Sequence, residues 1–322
     1  MKFFFVFSLL LISNKLLFSQ FSFQGEGTEY EPYEIWTKEH LIEMDDSMHI
    51  AYENKNPRRY SNTYFCLMQD IEDSLSQTMV WIFWGKHFHC NRKKINVAID
   101  SPHFIPSITA SLFGSFASSL AIDGLIAEGY LIGNGGSGIV AGSSGTVSYC
   151  INNATIIGMN PNISFAGGIA SDNHGTITNC LNNGSVTGVD RIGGIVSDNW
   201  GSVISCINTG KVVGSNSGNN GIFSGVAGIV ATAQYGFVLN CINLGDIEGK
   251  DYVAGIHGLA SGTSSEPVEI TNCINAGYVK GNNIVSGILG IMWNRNVNIS
   301  VCINTGVIEG EEDVGSIVGG EK

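Results

Sequence analysis

Two carboxylates come first among the residues that could do chemistry: Asp172 and Asp198, in the matching phrases Ser171-Asp-Asn-His174 and Ser197-Asp-Asn-Trp200. If the phrases stack one above the other, the two groups lie about 5 Å apart, the separation used by retaining glycosidases. The same pair could instead share a calcium ion. His174 and Trp200 would flank it as candidate binding residues, the indole offering an apolar face to a sugar ring. Against this, Asp-Asn ahead of a glycine is ordinary turn chemistry. The next copy, Ala231-Thr-Ala-Gln-Tyr235, adds no third acid, Arg or Lys. The pair is therefore read first as turn residues and only weakly as catalytic.

A second cluster, His87-Phe-His89-Cys90, places two imidazoles on one side of a strand and supplies three potential zinc ligands. A closed tetrahedral site needs a fourth, and no Cys-x-x-Cys or His pair lies nearby. The expectation is no metal and no cofactor. The sequence contains no His-Glu-x-x-His, Gly-x-Ser-x-Gly or phosphate-binding glycine motif, so peptidase, esterase and nucleotide chemistry have no support.

What must position these groups is a repeat. With Cys150, Cys180, Cys206, Cys241, Cys273 and Cys302 as origin, the position two residues later is Asn152, Asn182, Asn208, Asn243, Asn275 and Asn304. Six later stands a β-branched residue in every copy and eight later a glycine; three before stands Val or Ile. The spacings between cysteines are 30, 26, 35, 32 and 29 residues, so extra length falls between phrases, as loops on one edge of a stack. The stretches Ser215–Gly225 and His257–Pro267 are read as such inserted loops. Short β-branched segments between glycines cannot bury an apolar face alone, whereas rungs stacked about 4.8 Å apart enclose a continuous core. The prediction is an all-β fold, a right-handed parallel β-helix with three short strands per rung. The position three before each Cys and the Cys itself differ in parity yet both read as inward, which requires a corner between them. Each Cys is expected to be a buried free thiol acting as a wedge, and each Asn to bond the Asn of the next rung.

With 43% hydrophobic and 14% charged residues, 42 glycines and 6 prolines, the composition suits many short strands with tight corners. A formal charge of −12 without any basic cluster argues against nucleic acid or anionic lipid as partner. Residues 1–19, with Lys2 ahead of the apolar run Phe3 to Ile12, read as a secretory signal peptide cleaved near residue 19 or 20, too short to span a bilayer. The product is expected to be secreted or held at the cell surface, and not membrane-spanning. Residues 20–60 read as an N-terminal cap with a short helix: Thr37 is the N-cap, and Leu41, Met44, Met48 and Ala51 recur at helical spacing. The β-helix takes 61–322, with regular repeats from about 111. Its last rung, Val314 to Lys322, carries no capping helix, so the reading offers end-to-end self-association or a shortened relative of longer chains.

The phrase Gly-x-Ile-x-Asn-Cys-x-Asn-x-Gly-x-Val-x-Gly followed by Gly-Gly-Ile-Val, cleanest from Gly175 to Val196, resembles the GLUG repeat of bacterial surface proteins, including non-catalytic parts of immunoglobulin-A1 peptidases. Gly25 to Ile35, Tyr64 to Ile71 and Ser111-Leu-Phe-Gly114 are similar to segments that precede such repeats; Cys90 and Arg92 stand where that pattern has glycines. The resemblance implies an exported solenoid of Bacteroidetes-like bacteria, of adhesive or unknown role, and carries over no catalytic residue. Two functions follow as expectations. The first is a non-catalytic scaffold binding a protein or glycan of a host or matrix; the alternative is a glycan-active enzyme built on Asp172 and Asp198.

Overall fold

A computed structural model of the 322-residue chain describes residues 21–83, 85–101, 110–116, 120–133, 137–160, 164–215, 224–263, 265–293 and 296–321. Residues 1–20, which include the stretch read above as a signal peptide, and most of the stretch 215–225 lie outside the described residues. The chain winds as a parallel β-solenoid of about nine turns with one short helix near its start. Three sheets form its sides, one of 10 strands and two of 15 strands.

The repeat positions account for this geometry. On the first side, Phe65, Phe88, Ile122, Val147, Ile177, Val203, Val238, Ile270 and Ile299 stand in one register and all but the last are buried. Each side chain here gains about 1.5–3 kcal/mol from leaving water, but only because the rungs above and below close the column. The required corner sits one residue before each Cys. Tyr149, Asn179, Ser205, Asn240, Asn272 and Val301 all have φ between 52° and 56°. That left-handed residue turns the chain so that both Val147 and Cys150, three apart, face the core. The early turns fall into the same register: Lys94–Ser101 pairs residue for residue with Ile126–Gly133.

The Asn positions form a buried ladder. Asn152 Nδ2 donates to Asn182 Oδ1 at 2.7 Å, and the relay continues through Asn208, Asn243 and Asn275 to Asn304 at 2.7–2.8 Å. Each amide also donates to the carbonyl two residues on, as Asn208 does to Gly210 at 2.9 Å. The second glycine of each Gly-Gly phrase lies against this ladder. A Cβ on Gly194 would stand 2.7 Å from Asn208 Oδ1 and 2.1 Å from the Gly228 carbonyl, so only glycine fits. The cysteines are free; Cys150, Cys180, Cys206, Cys241 and Cys273 are buried and Cys302 half-buried. Each thiol donates to the carbonyl two residues back, for example Cys206 Sγ to Ile204 O at 3.4 Å.

The helix Lys38–Glu53 starts at Thr37, whose hydroxyl accepts from His40 N at 3.3 Å, and buries Leu41, Met44, Met48 and Ala51. These side chains join the main core together with Phe21, Phe23 and Phe65. The first sheet already begins within the preceding segment, where Tyr33–Ile35 pairs with Tyr64–Leu67. No helix among the described residues is long and apolar enough to cross a membrane.

Candidate functional site

The strands Ala170–Asn173 and Val196–Asn199 run side by side with Asp172 opposite Asp198 and Asn173 opposite Asn199. This corrects the reading of the two aspartates as turn residues. The asparagines take the corner instead, because their amides reach the backbone on its far side: Asn173 Oδ1 accepts from Gly175 N at 3.2 Å and Asn173 Nδ2 donates to Asn199 Oδ1 at 2.7 Å. Asp172 and Asp198 are left at the strand ends on the outer face, about 4.8 Å apart along the stack.

Their environments differ. Asp198 is enclosed by partners from two elements. Arg191 Nη1 lies 2.5 Å from its Oδ2, and the Thr232 hydroxyl of the next turn donates to its Oδ1. The Arg191 guanidinium in turn rests over the Phe165 ring, 4.7 Å from its centre. The next copy, Ala231 to Tyr235, brings Thr232 and no Arg or Lys; the basic partner comes from Asp198's own turn, which the sequence reading did not consider. Arg191 precedes Asp198 by seven residues, and the Gly193-Gly194 corner folds it back onto the same face. Asp172 has no such clamp. His174 Nε2 is 3.5 Å from its Oδ2, while its Oδ1 is buried without a hydrogen-bond partner among the described residues. Burial pushes the Asp172 carboxyl above its ordinary range, His174 opposes the rise, and the negative charge of Asp198 adds to it.

His174 and Trp200 follow the corner asparagines and stack, ring centres 5.7 Å apart and planes 17° apart. A third ring, Tyr235, meets Trp200 edge-on at 5.4 Å. The sequence reading placed the first two at the site but missed Tyr235. Its signal was available, since Gln234-Tyr235-Gly236 aligns with Asn199-Trp200-Gly201. Along the outer face the column of Asp172, Asp198 and Thr232 continues into Leu259 and Ile291. With Ile284, Tyr252 and Trp293 these form a second apolar cluster apart from the main core. His257–Ala260 is a strand and not part of an inserted loop, because the Gly255-Ile256 corner repeats the Gly228-Ile229 corner and continues the sheet.

The fold and this face define the class: a three-sided parallel β-solenoid with a polar pair and an aromatic run on its outer face, and a second, buried apolar cluster further along it. Neither a protein-family model nor a curated protein matches the sequence. Among solved structures the fold is similar to that in the crystal structure of a "putative immunoglobulin A1 protease" from Bacteroides ovatus, with a TM-score of 0.51 at 15% identity over 92% of this chain and 86% of that one. At that identity the likeness is one of fold.

Proposed function

We propose that the chain is an exported, non-catalytic repeat scaffold, of the GLUG-like kind, that binds an extended glycan across its outer face. The observation that carries this reading is the run His174, Trp200 and Tyr235, three rings on successive turns at 5.4–5.7 Å. With His174 stacked on Trp200 and Tyr235 set edge-on to it, the rings form one continuous apolar ridge along the stack, one ring per turn, against which the apolar faces of an extended saccharide can lie. The carboxylates beside the ridge supply hydrogen-bond acceptors for hydroxyl groups. Asp198, held by Arg191 and Thr232, is oriented for such a role and shielded from acting as a nucleophile.

The competing reading, a glycan-active enzyme, draws on Asp172. A carboxyl raised by burial beside a second carboxyl group is the arrangement of an acid and its partner. Binding of purified protein to a glycan array, followed by calorimetry on the hits, separates the two. Scaffold function requires saturable binding that Trp200→Ala weakens at least tenfold without product formation. Glycan turnover abolished by Asp198→Asn would overturn it, as would binding indifferent to Trp200→Ala.

A further inference from the structure

In the N-terminal part of the solenoid the cluster His87-Phe-His89-Cys90 resolves into two faces. Phe88 and Cys90 point into the core and are buried, so Cys90 is removed from the set of ligands that the sequence offered. His87 and His89 project outward from their strand, 36% and 47% exposed. The missing partner arrives from the next turn. His89 is in register with Asp123 and His87 with Ala121, whose small side chain leaves room for His87 to reach across to the same carboxylate.

The geometry is close. His87 Nε2 lies 2.5 Å from Asp123 Oδ1, and His89 Nδ1 lies 2.9 Å from Oδ1 and 2.7 Å from Oδ2. The three donor atoms all fall within 4.8 Å of one another. Two rings from one strand thus converge on one carboxylate of the next, with their planes at 75° to each other. From this geometry we infer that His87, His89 and Asp123 form a binding site for a borderline divalent cation, with Zn²⁺ the best match.

Donor chemistry selects the ion. Two imidazoles and one carboxylate suit zinc and its first-row neighbours, whereas calcium and magnesium take oxygen shells. Three protein ligands leave a fourth position open, the arrangement of zinc sites that hold water or an external ligand and unlike the closed structural kind. Cys66 is the nearest alternative fourth donor, one strand beyond His89 in the same outward column. Its sulfur is engaged by Asn91 Nδ2 at 3.0 Å, which keeps it out of the set. Burial pushes its thiol up, which disfavours the thiolate that a metal needs. The Asp123 carboxyl is already ionised at neutral pH. Burial raises it, but the hydrogen bonds and charge of the two histidines more than offset that and hold it below the ordinary range. A cation here clips two successive turns together.

The test is calorimetric titration of ZnCl₂ into chelator-treated full-length protein, paired with the absorption spectrum of the Co²⁺ form. The expected result is one equivalent bound and a Co²⁺ spectrum without thiolate charge-transfer bands. Loss of a residue that merely orients a ligand costs roughly 10–100-fold in affinity, so His89→Ala, His87→Gln and Asp123→Asn should each cost at least that. His49→Ala, in an exposed helical pair with Glu53, and Cys66→Ser should leave affinity unchanged. Circular dichroism confirms that each variant is folded, and because three separate ligands are tested the failure of one to fold leaves the others decisive. Absence of stoichiometric binding, retention of affinity in the folded Asp123→Asn protein, or a strong thiolate band would each overturn the assignment.

Discussion

His257 should behave as a pH-dependent fault in the core. It stands in the column Val230, His257, Leu289, fully buried, with neither Nδ1 nor Nε2 hydrogen-bonded among the described residues. Burial alone pushes its pKa from 6.5 down to about 3. The folded state therefore holds the ring neutral while the unfolded chain protonates it below pH 6.5, so stability is intact above pH 6.5 and is lost as pH falls. The loss is about 1.4 kcal/mol per pH unit, or about 2 kcal/mol at pH 5 and about 4–5 kcal/mol by pH 3. Replacing the ring with leucine continues the apolar column and removes two unpaired buried nitrogens, each an unmet hydrogen-bonding demand. His257→Leu should raise the stability at pH 7.5 by about 1–3 kcal/mol and widen its advantage over the parent by about 2 kcal/mol between pH 7.5 and pH 5. Urea unfolding followed by circular dichroism at the two pH values measures both quantities. An advantage that is the same at pH 7.5 and pH 5 would refute the reasoning, because it would mean that the folded protein accepts the proton as readily as the unfolded chain. A variant less stable than the parent at pH 7.5 would show that the ring has a partner.

Asn208→Ala breaks the ladder in mid-stack, where Asn208 accepts from Asn182 and donates to both Asn243 and Gly210. Leaving those buried groups unpaired should cost about 2–5 kcal/mol, read as a lowered urea midpoint; a cost below about 1 kcal/mol would show that water replaces the amide. Val301 is a β-branched residue at φ 52° where the other five copies of that corner have Tyr, Asn or Ser. Val301→Asn should therefore stabilise by about 1 kcal/mol, and a neutral or negative change in thermal midpoint would argue that the corner carries no strain.

The repeat was readable because each of its positions answers a local demand. A fixed distance from Cys to Asn to Gly survives insertions elsewhere, and the parity mismatch between Val147 and Cys150 announced a corner before any coordinate. The aspartates were harder. Asp-Asn-x-Gly is a turn signal as a string, yet its asparagine alone makes the corner, and which of two adjacent polar residues faces the backbone depends on the strand that precedes them. Arg191 and Thr232 were missed because their contact with Asp198 is set by the fold of a glycine corner and by the neighbouring turn. His257 read as a loop residue because a polar ring seldom occupies a core column.

The sequence by itself determined the solenoid, its rung length, its buried thiols and asparagines, and the scarcity of catalytic motifs. Those follow from residue type and period, which stacking merely multiplies. Only the tertiary structure decided which side chains meet across rungs. Asp123 lies 34 residues beyond His89, and Tyr235 lies 35 beyond Trp200. In a parallel stack such pairs become neighbours through register alone, and register is set by loop lengths whose variation no local pattern records.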